Sequence, residues 1–320
     1  MVSQLKNKVL SGESISREEA LELCGAPLDE LCAAADEIRA HFCGNGFDIC
    51  TIINAKSGKC SENCRYCAQS AHYGGSCEEY SLISAEKALE AAQESKRNGA
   101  LRFSLVTSGK RLTEAEVDSV CGIIRRIRTE CGISVCGSFG LLDAAAFKKL
   151  KDAGLERVHN NLETSRRFFP EVCTTHTFDD KLAAVRAARS AGLTVCSGGI
   201  MGLGEAPEDR IDMALELRAL GVRSVPVNVL NPISGTPLEN RTPLANDEVR
   251  RICAVFRFIL PQAAIRLAGG RRLLGDDGRG CFKSGANAAI SGNMLTTIGE
   301  SVKSDVEMIK ELGYKAEMAE

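Results

Sequence analysis

The sequence predicts an α/β chain closed into a (β/α)8 TIM barrel with an N-terminal helical extension, and three observations support that reading. Five helices end at a glycine that leads directly into a short β-rich run: Gly99 before LRFSLV, Gly132 before ISVCGS, Gly154 before LERVHN, Gly192 before LTVCSG and Gly221 before VRSVPVN. Glycine just past a helix, followed by such a segment, is what a βα unit requires. ICTIIN at the front, with AIRLAG and Ala288–Ser291 at the back, brings the candidate strands to eight. Repeated right-handed crossovers then close a barrel. Finally, a cysteine-rich polar loop follows the first strand, and barrel active sites lie on loops beyond strand C-termini. A doubly wound sheet fits the alternation alone.

Each element has a local reason. Residues 1–46 read as the helical extension and 47–320 as the barrel, with Ser16 capping one early helix and Leu28 to Ile38 forming another. Thr113 and Glu116 make a capping box ahead of Val117, Val120, Cys121, Ile124 and Ile127 at helical spacing. Asp143 caps a helix through Phe147 and Leu150, and Pro207 suits the first turn of one carrying Ile211, Ala214 and Leu215. Val249, Ile252, Cys253, Phe256 and Ile259 mark another.

Composition narrows the function classes. The 320 residues are 44% apolar with net charge -2, which leaves no electrostatic footprint for nucleic acid or an anionic membrane. No apolar stretch approaches a membrane span, and the first residues lack a secretory signal. Fifteen cysteines in that context point to a reducing cytoplasm, where thiols bind metal or pack as small apolar groups. Cys24, Cys32, Cys121 and Cys253 fall on apolar helix positions and read as packing.

Cys60, Cys64 and Cys67 form a Cys-x3-Cys-x2-Cys run. Three thiolates so spaced can hold three irons of a [4Fe–4S] cubane, and no fourth cysteine follows at ferredoxin spacing, so one iron stays open to a non-protein ligand. A structural zinc knuckle is the competing reading, but zinc sites pair two Cys-x2-4-Cys arms or add histidines. Tyr66 immediately precedes the last cysteine. Gly198, Ile200, Gly202 and Glu205 lie in a glycine-rich turn after the fifth strand, where backbone can approach a flat ring closely.

The loop and this G-x-I-x-G-x-x-E turn together resemble the radical S-adenosylmethionine (SAM) superfamily. The stretches Asn54–Tyr73, Asn160–Ser165, Val195–Gly199, Val225–Asn228, Gly235–Leu238, Arg266–Arg271, Gly285–Asn287 and Leu295–Thr297 resemble biotin synthases, in that family's order, over roughly residues 15 to 313. The resemblance implies a sulfur-inserting (β/α)8 enzyme that converts dethiobiotin to biotin. Reductive cleavage of SAM on the open iron gives a 5′-deoxyadenosyl radical that abstracts hydrogen from unactivated carbon. By the same resemblance, Tyr66, Gly198, Ile200, Gly202 and Glu205 serve the SAM site. Asn161 and Glu163 hold SAM or its ribose, Glu163 standing where the family has Asp. Asn161 and Asn228 contact the substrate ring, and Thr296 and Thr297 take its carboxylate. His176 approaches the SAM region and His72 flanks the loop, while His41 and His159 read as packing or surface residues.

The sulfur source departs from the family pattern. Familiar biotin synthases sacrifice a [2Fe–2S] cluster held by cysteines on strands two, three and five and an arginine on strand seven. Cys136, Cys196 and Arg266 match three of these, but the strand-two position is Ser104, a far poorer iron ligand. Cys50 has the parity of Asn54 on the adjoining strand one, so it lines the same interior. The expectation is an auxiliary cluster held by Cys50, Cys136 and Cys196: a four-iron cluster with an open iron carrying extra sulfide, or a two-iron cluster with Arg266 as fourth ligand. Cys43 and Cys281 are reserve ligands. The one-electron step implies a flavodoxin- or ferredoxin-type donor, and a homodimer is expected. Hydrogenase maturases and methylornithine synthases share loop and barrel but need no thiolates at 136 and 196. A non-catalytic iron–sulfur sensor would have no use for the SAM turn.

Overall fold

The computed structural model describes residues 1–297 and 299–319. Among the described residues there are ten strands: β1 (Gly46–Lys56), β2 (Arg102–Thr107), β3 (Ser134–Ser138), β4 (Arg157–His159), β5 (Thr194–Cys196), β6 (Gly199–Met201), β7 (Ser224–Val229), β8 (Ala264–Leu267), β9 (Ala288–Ser291) and β10 (Lys315–Ala316). The helices are α1 (Val2–Leu10), α2 (Arg17–Cys24), α3 (Leu28–Cys43), α4 (Ala85–Arg97), α5 (Glu114–Glu130), α6 (Ala144–Asp152), α7 (Phe178–Ser190), α8 (Pro207–Ala219), α9 (Asn246–Ile259), α10 (Arg279–Phe282) and α11 (Val302–Glu311). Among the described residues, none is long and apolar enough to cross a membrane.

All barrel pairings are parallel and run β1-β2-β3-β4-β5-β7-β8-β9, with β9 returning to β1. The expected eight-stranded closure is therefore present, with one interruption. The fifth stave is split into β5 and β6, which meet β7 through Cys196↔Ser224 and Gly199↔Val227. Between them, Pro226 has no N–H to offer the ladder.

Helix signals act where the residues place them. Ser16, Thr113 and Thr177 each cap with an acidic partner three residues on, and Asp143 accepts from Ala146 N. Pro207 opens α8. The first three helices pack on α8 and α9, tied by the Arg17–Asp212 ion pair at 2.6 Å and by Arg251 donating to Ala26 O. After α11, β10 pairs with the start of β1, and Ala319 O accepts from Arg102 and Arg157, so the C-terminal segment crosses the barrel's base.

Alternation sorts the strands into two faces. Phe103, Leu105, Val135, Val158, Val225 and Ile265 are buried in the large apolar core. The other parity supplies Asp48, Cys50, Arg102, Ser104, Cys136, Arg157, His159, Cys196 and Arg266, linked by polar contacts across the interior. TIM barrels ordinarily fill this space with branched apolar side chains. A polar interior here marks a site.

Candidate cluster-binding site

At the bottom of the barrel, one carboxylate meets three guanidiniums. Asp48 Oδ2 lies 3.1 Å from Arg102 Nε, 3.2 Å from Arg266 Nη2 and 3.5 Å from Arg157 Nη1, all buried. Burial pushes the Asp48 carboxyl up, but Arg266, Arg102 and Arg157 outweigh it and hold it below the ordinary range. The floor thus carries net positive charge. Arg266 also donates to Asp48 O and Ala289 O, while its Nε has no partner among the described residues.

One layer above sit the thiols. Cys50 Sγ lies 3.6 Å from Ser104 Oγ, which is 2.8 Å from His159 Nε2. His159 pairs directly with Cys196 across β4 and β5, and Ser224 donates to Cys196 Sγ at 3.2 Å. Ser104 pairs with Cys136 across β2 and β3. Cys50, Cys136 and Cys196 are all at most 1% exposed. In the metal-free protein the neighbouring Cys136 thiol holds Cys50 well below the usual thiol range, while Cys136 itself is raised. Burial raises Cys196, yet His159, Arg266 and Arg157 bring it down to about 7. Burial lowers His159, and Cys196 and Cys50 lift it to about 9. Cys196, beside His159 and Arg266, therefore favours the thiolate that binds iron.

The reading of His159 as packing or surface is corrected: its ring stands in the interior between Ser104 and Cys196. A lone histidine on a three-residue strand has no spacing signal. Its parity with Arg157 and its pairing with Cys196 were the clues available. The reserve thiols are also placed elsewhere. Cys43 Sγ contacts Pro261 O and Arg257, and Cys281 is buried beside Cys253 in the apolar core.

The wall above is built by β4, β5 and β6. Glu163 adopts φ 70, and its backbone bridges Gly198 O and Ile200 N. The carboxylate is buried, with Oε1 4.0 Å from Lys181 Nζ and Oε2 without a hydrogen-bond partner among the described residues. Burial raises it and Lys181 opposes. A buried acceptor without a donor suits a ribose hydroxyl. Gly198 N donates to Asn161 Oδ1 at 3.3 Å, while Asn228 donates to Gly199 O and accepts from Gly269 N. An added Cβ at Gly198 would lie 2.0 Å from Pro226 O, so only glycine allows this approach. Glu205 is buried and folds back on its own turn, accepting from Gly202 N at 2.8 Å, Gly204 N at 3.0 Å and Arg210 Nε at 2.7 Å. It shapes the turn, and its oxygens are already engaged. Tyr66 and Ile200 pack against one small apolar cluster of Val172, Leu203, Leu230 and Leu238.

The loop after β1 is fixed by its backbone. Cys60 N donates to Gln69 O, Ala71 N to Cys60 O and Cys67 N to Cys64 O. Gly58 and Lys59 are both left-handed, turning the chain sharply into the first cysteine. Burial pushes the Cys67 thiol up to about 11. Among the described residues, the three loop thiols do not converge within 4.8 Å of one another, so they fit separate irons of a cluster better than one zinc ion. His72 Nε2 lies 2.9 Å from Ser61 O, beside the loop. Asn54 Nδ2 reaches Leu295 O at 3.4 Å, placing half-buried Thr297 and exposed Thr296 near the end of β1.

The comparisons agree with this arrangement. The family model described as "Radical SAM superfamily" matches residues 55–217, and that described as "Biotin and Thiamin Synthesis associated domain" matches 226–315. The biotin synthase of Brachyspira hyodysenteriae is 57% identical over 319 residues, covering 100% of this chain and 96% of that protein. Biotin synthase 2 of Corynebacterium diphtheriae is 60% identical over 314 residues (98% and 95% covered), and the Akkermansia muciniphila biotin synthase is 57% identical over 318 (99% of each). Methylornithine synthase superposes with a TM-score of 0.84 at 22% identity over 98% of both chains. The [FeFe]-hydrogenase maturase HydG gives 0.84 at 19% identity, over 98% of this chain and 74% of its own. Those two likenesses speak for the fold alone. Fold, cysteine loop and full-length identity together place the chain in the biotin synthase family, within the radical SAM superfamily.

Proposed function

We propose that this enzyme is a radical SAM sulfurtransferase that converts dethiobiotin to biotin, with two iron–sulfur centres in one barrel. The observation that carries it is the set of Cys50, Cys136 and Cys196 one layer above the floor, beneath the Cys60, Cys64 and Cys67 loop. When bound, the loop cluster and SAM supply the 5′-deoxyadenosyl radical, and the auxiliary cluster supplies sulfide.

The protein's own part is positioning and exclusion. Tyr66, Ile200 and the Gly198–Gly202 turn offer the adenine a flat seat, Glu205 and Arg210 lock that turn, and Glu163 with Asn161 receives the ribose. Asn161 and Asn228 face the substrate ring, and Thr296 and Thr297 its carboxylate. The buried walls keep water from the radical.

Above the floor, Cys50 replaces the thiolate that Ser104 lacks. Arg266 is held by Asp48 and two carbonyls, and the Asp48 carboxylate and surrounding thiolates keep its guanidinium protonated against burial. The favoured auxiliary cluster would have four irons, held by the three thiolates with an extra sulfide for donation and Arg266 as counter-charge; the [2Fe–2S] version would take Arg266 as a ligand. Ser104 and His159 border the corner without a thiol. Reduction draws on a flavodoxin- or ferredoxin-type donor, and the expected assembly is a homodimer.

Anaerobic incubation with SAM, reductant and dethiobiotin tests this by mass spectrometry. The expected product has one sulfur in place of two hydrogens, alongside 5′-deoxyadenosine. The adenosyl product without the sulfur gain would refute the assignment.

A further inference from the structure

Among the described residues, one set of three metal-binding side chains does bring its donor atoms within 4.8 Å of one another, and it is not the expected trio: Cys64, Cys173 and His176. Cys173 Sγ lies 3.3 Å from His176 Nδ1, which is 2.6 Å from Glu62 Oε2. All but Cys64 are at most 6% exposed.

The group is fastened from both sides. Asn63 Oδ1 accepts from Thr174 N and Thr175 N, Asn63 N donates to Thr175 Oγ1, Arg65 N donates to Val172 O, and Thr175 Oγ1 donates to Glu62 Oε2. These bonds hold the segment before α7 against the cysteine loop, so the two thiols and the imidazole stay together. Two thiolates and an imidazole are a donor set for a borderline divalent cation such as Zn2+ or Fe2+, which takes water in a fourth, tetrahedral position.

We propose that the protein without its loop cluster binds one such cation through Cys64, Cys173 and His176, with a water in the fourth position and Glu62 orienting the imidazole. The site and the cubane are mutually exclusive because both need the Cys64 thiolate. Zinc held there blocks cluster insertion, whereas Fe2+ held there is already beside the loop. The proposal is independent of the auxiliary cluster and of the reaction.

Zinc K-edge absorption on cluster-free wild-type protein with one equivalent of Zn2+ reads the site directly. Two sulfur and two nitrogen or oxygen neighbours are expected, and three sulfur neighbours, the loop thiols alone, would overturn it. With Co2+ as the optical probe, Cys173→Ala should weaken binding at least about tenfold, while the double variant Cys60→Ala/Cys67→Ala keeps the thiolate-to-cobalt band. The reverse pattern would also overturn it. Iron–sulfide reconstitution of Cys173→Ala to a normal cluster spectrum checks its fold; should that fail, His176→Ala takes its place in the cobalt titration.

Discussion

Replacing Asp48 by Asn removes the one carboxylate that three buried guanidiniums share, at 3.1, 3.2 and 3.5 Å. Asparagine preserves the shape and one acceptor, so the change is almost purely of charge. Breaking a buried ion pair from one side costs about 3–5 kcal/mol, because the partner charges stay uncompensated. For a chain of this length each kcal/mol moves the midpoint by about 2 °C, so the cluster-free variant should melt about 6–10 °C below wild type. Three thiolates above the same floor supply negative charge once iron is bound, so reconstitution should narrow the gap. The pH dependence has a definite sign. Asp48's folded value is depressed, so its stabilisation is present above the unfolded carboxyl range and lost as pH falls through the folded value. The gap between wild type and variant should therefore shrink on acidification. Anaerobic circular dichroism melts, with and without reconstitution, measure all three effects. A cluster-free midpoint within about 1 °C of wild type at neutral pH would refute the charge argument.

Three further substitutions probe the site. Cys50→Ala should abolish the auxiliary iron–sulfur spectrum while leaving the loop cluster's signal, read by iron and sulfide assay and Mössbauer spectroscopy; an unchanged spectrum removes Cys50 from the ligand set. His159→Ala should raise the Cys196 thiol above its wild-type value of about 7, because the imidazole that lowers it is gone, so the pH midpoint for its alkylation in cluster-free protein moves upward. Gly198→Ala places a Cβ 2.0 Å from Pro226 O, a clash costing about 1–3 kcal/mol. Equilibrium dialysis should then show SAM affinity down by roughly tenfold, the equivalent of about 1.4 kcal/mol.

Much of the barrel was legible because its signals are local. Ser16, Thr113 and Asp143 cap where they stand, Pro207 opens its helix, and the glycines before the strands end theirs, since backbone sterics and end-group hydrogen bonds act within a few residues. The cysteine loop was legible for the same reason: thiols spaced three and two apart need no tertiary structure to suggest a cluster. Parity put Cys50 on the inner face, and the structure sets its sulfur beside Ser104.

What the tertiary structure alone decided lies between strands and loops far apart in sequence. His159 meets Ser104 across 55 positions, and Asp48 meets Arg266 across 218. Cys173 and His176 reach Glu62, Asn63 and Cys64 only because the segment after β4 folds over the loop after β1. A single histidine or cysteine carries no pattern that separates packing from ligation. Its chemistry is set by neighbours that barrel closure brings within a few ångströms, and closure depends on every strand at once.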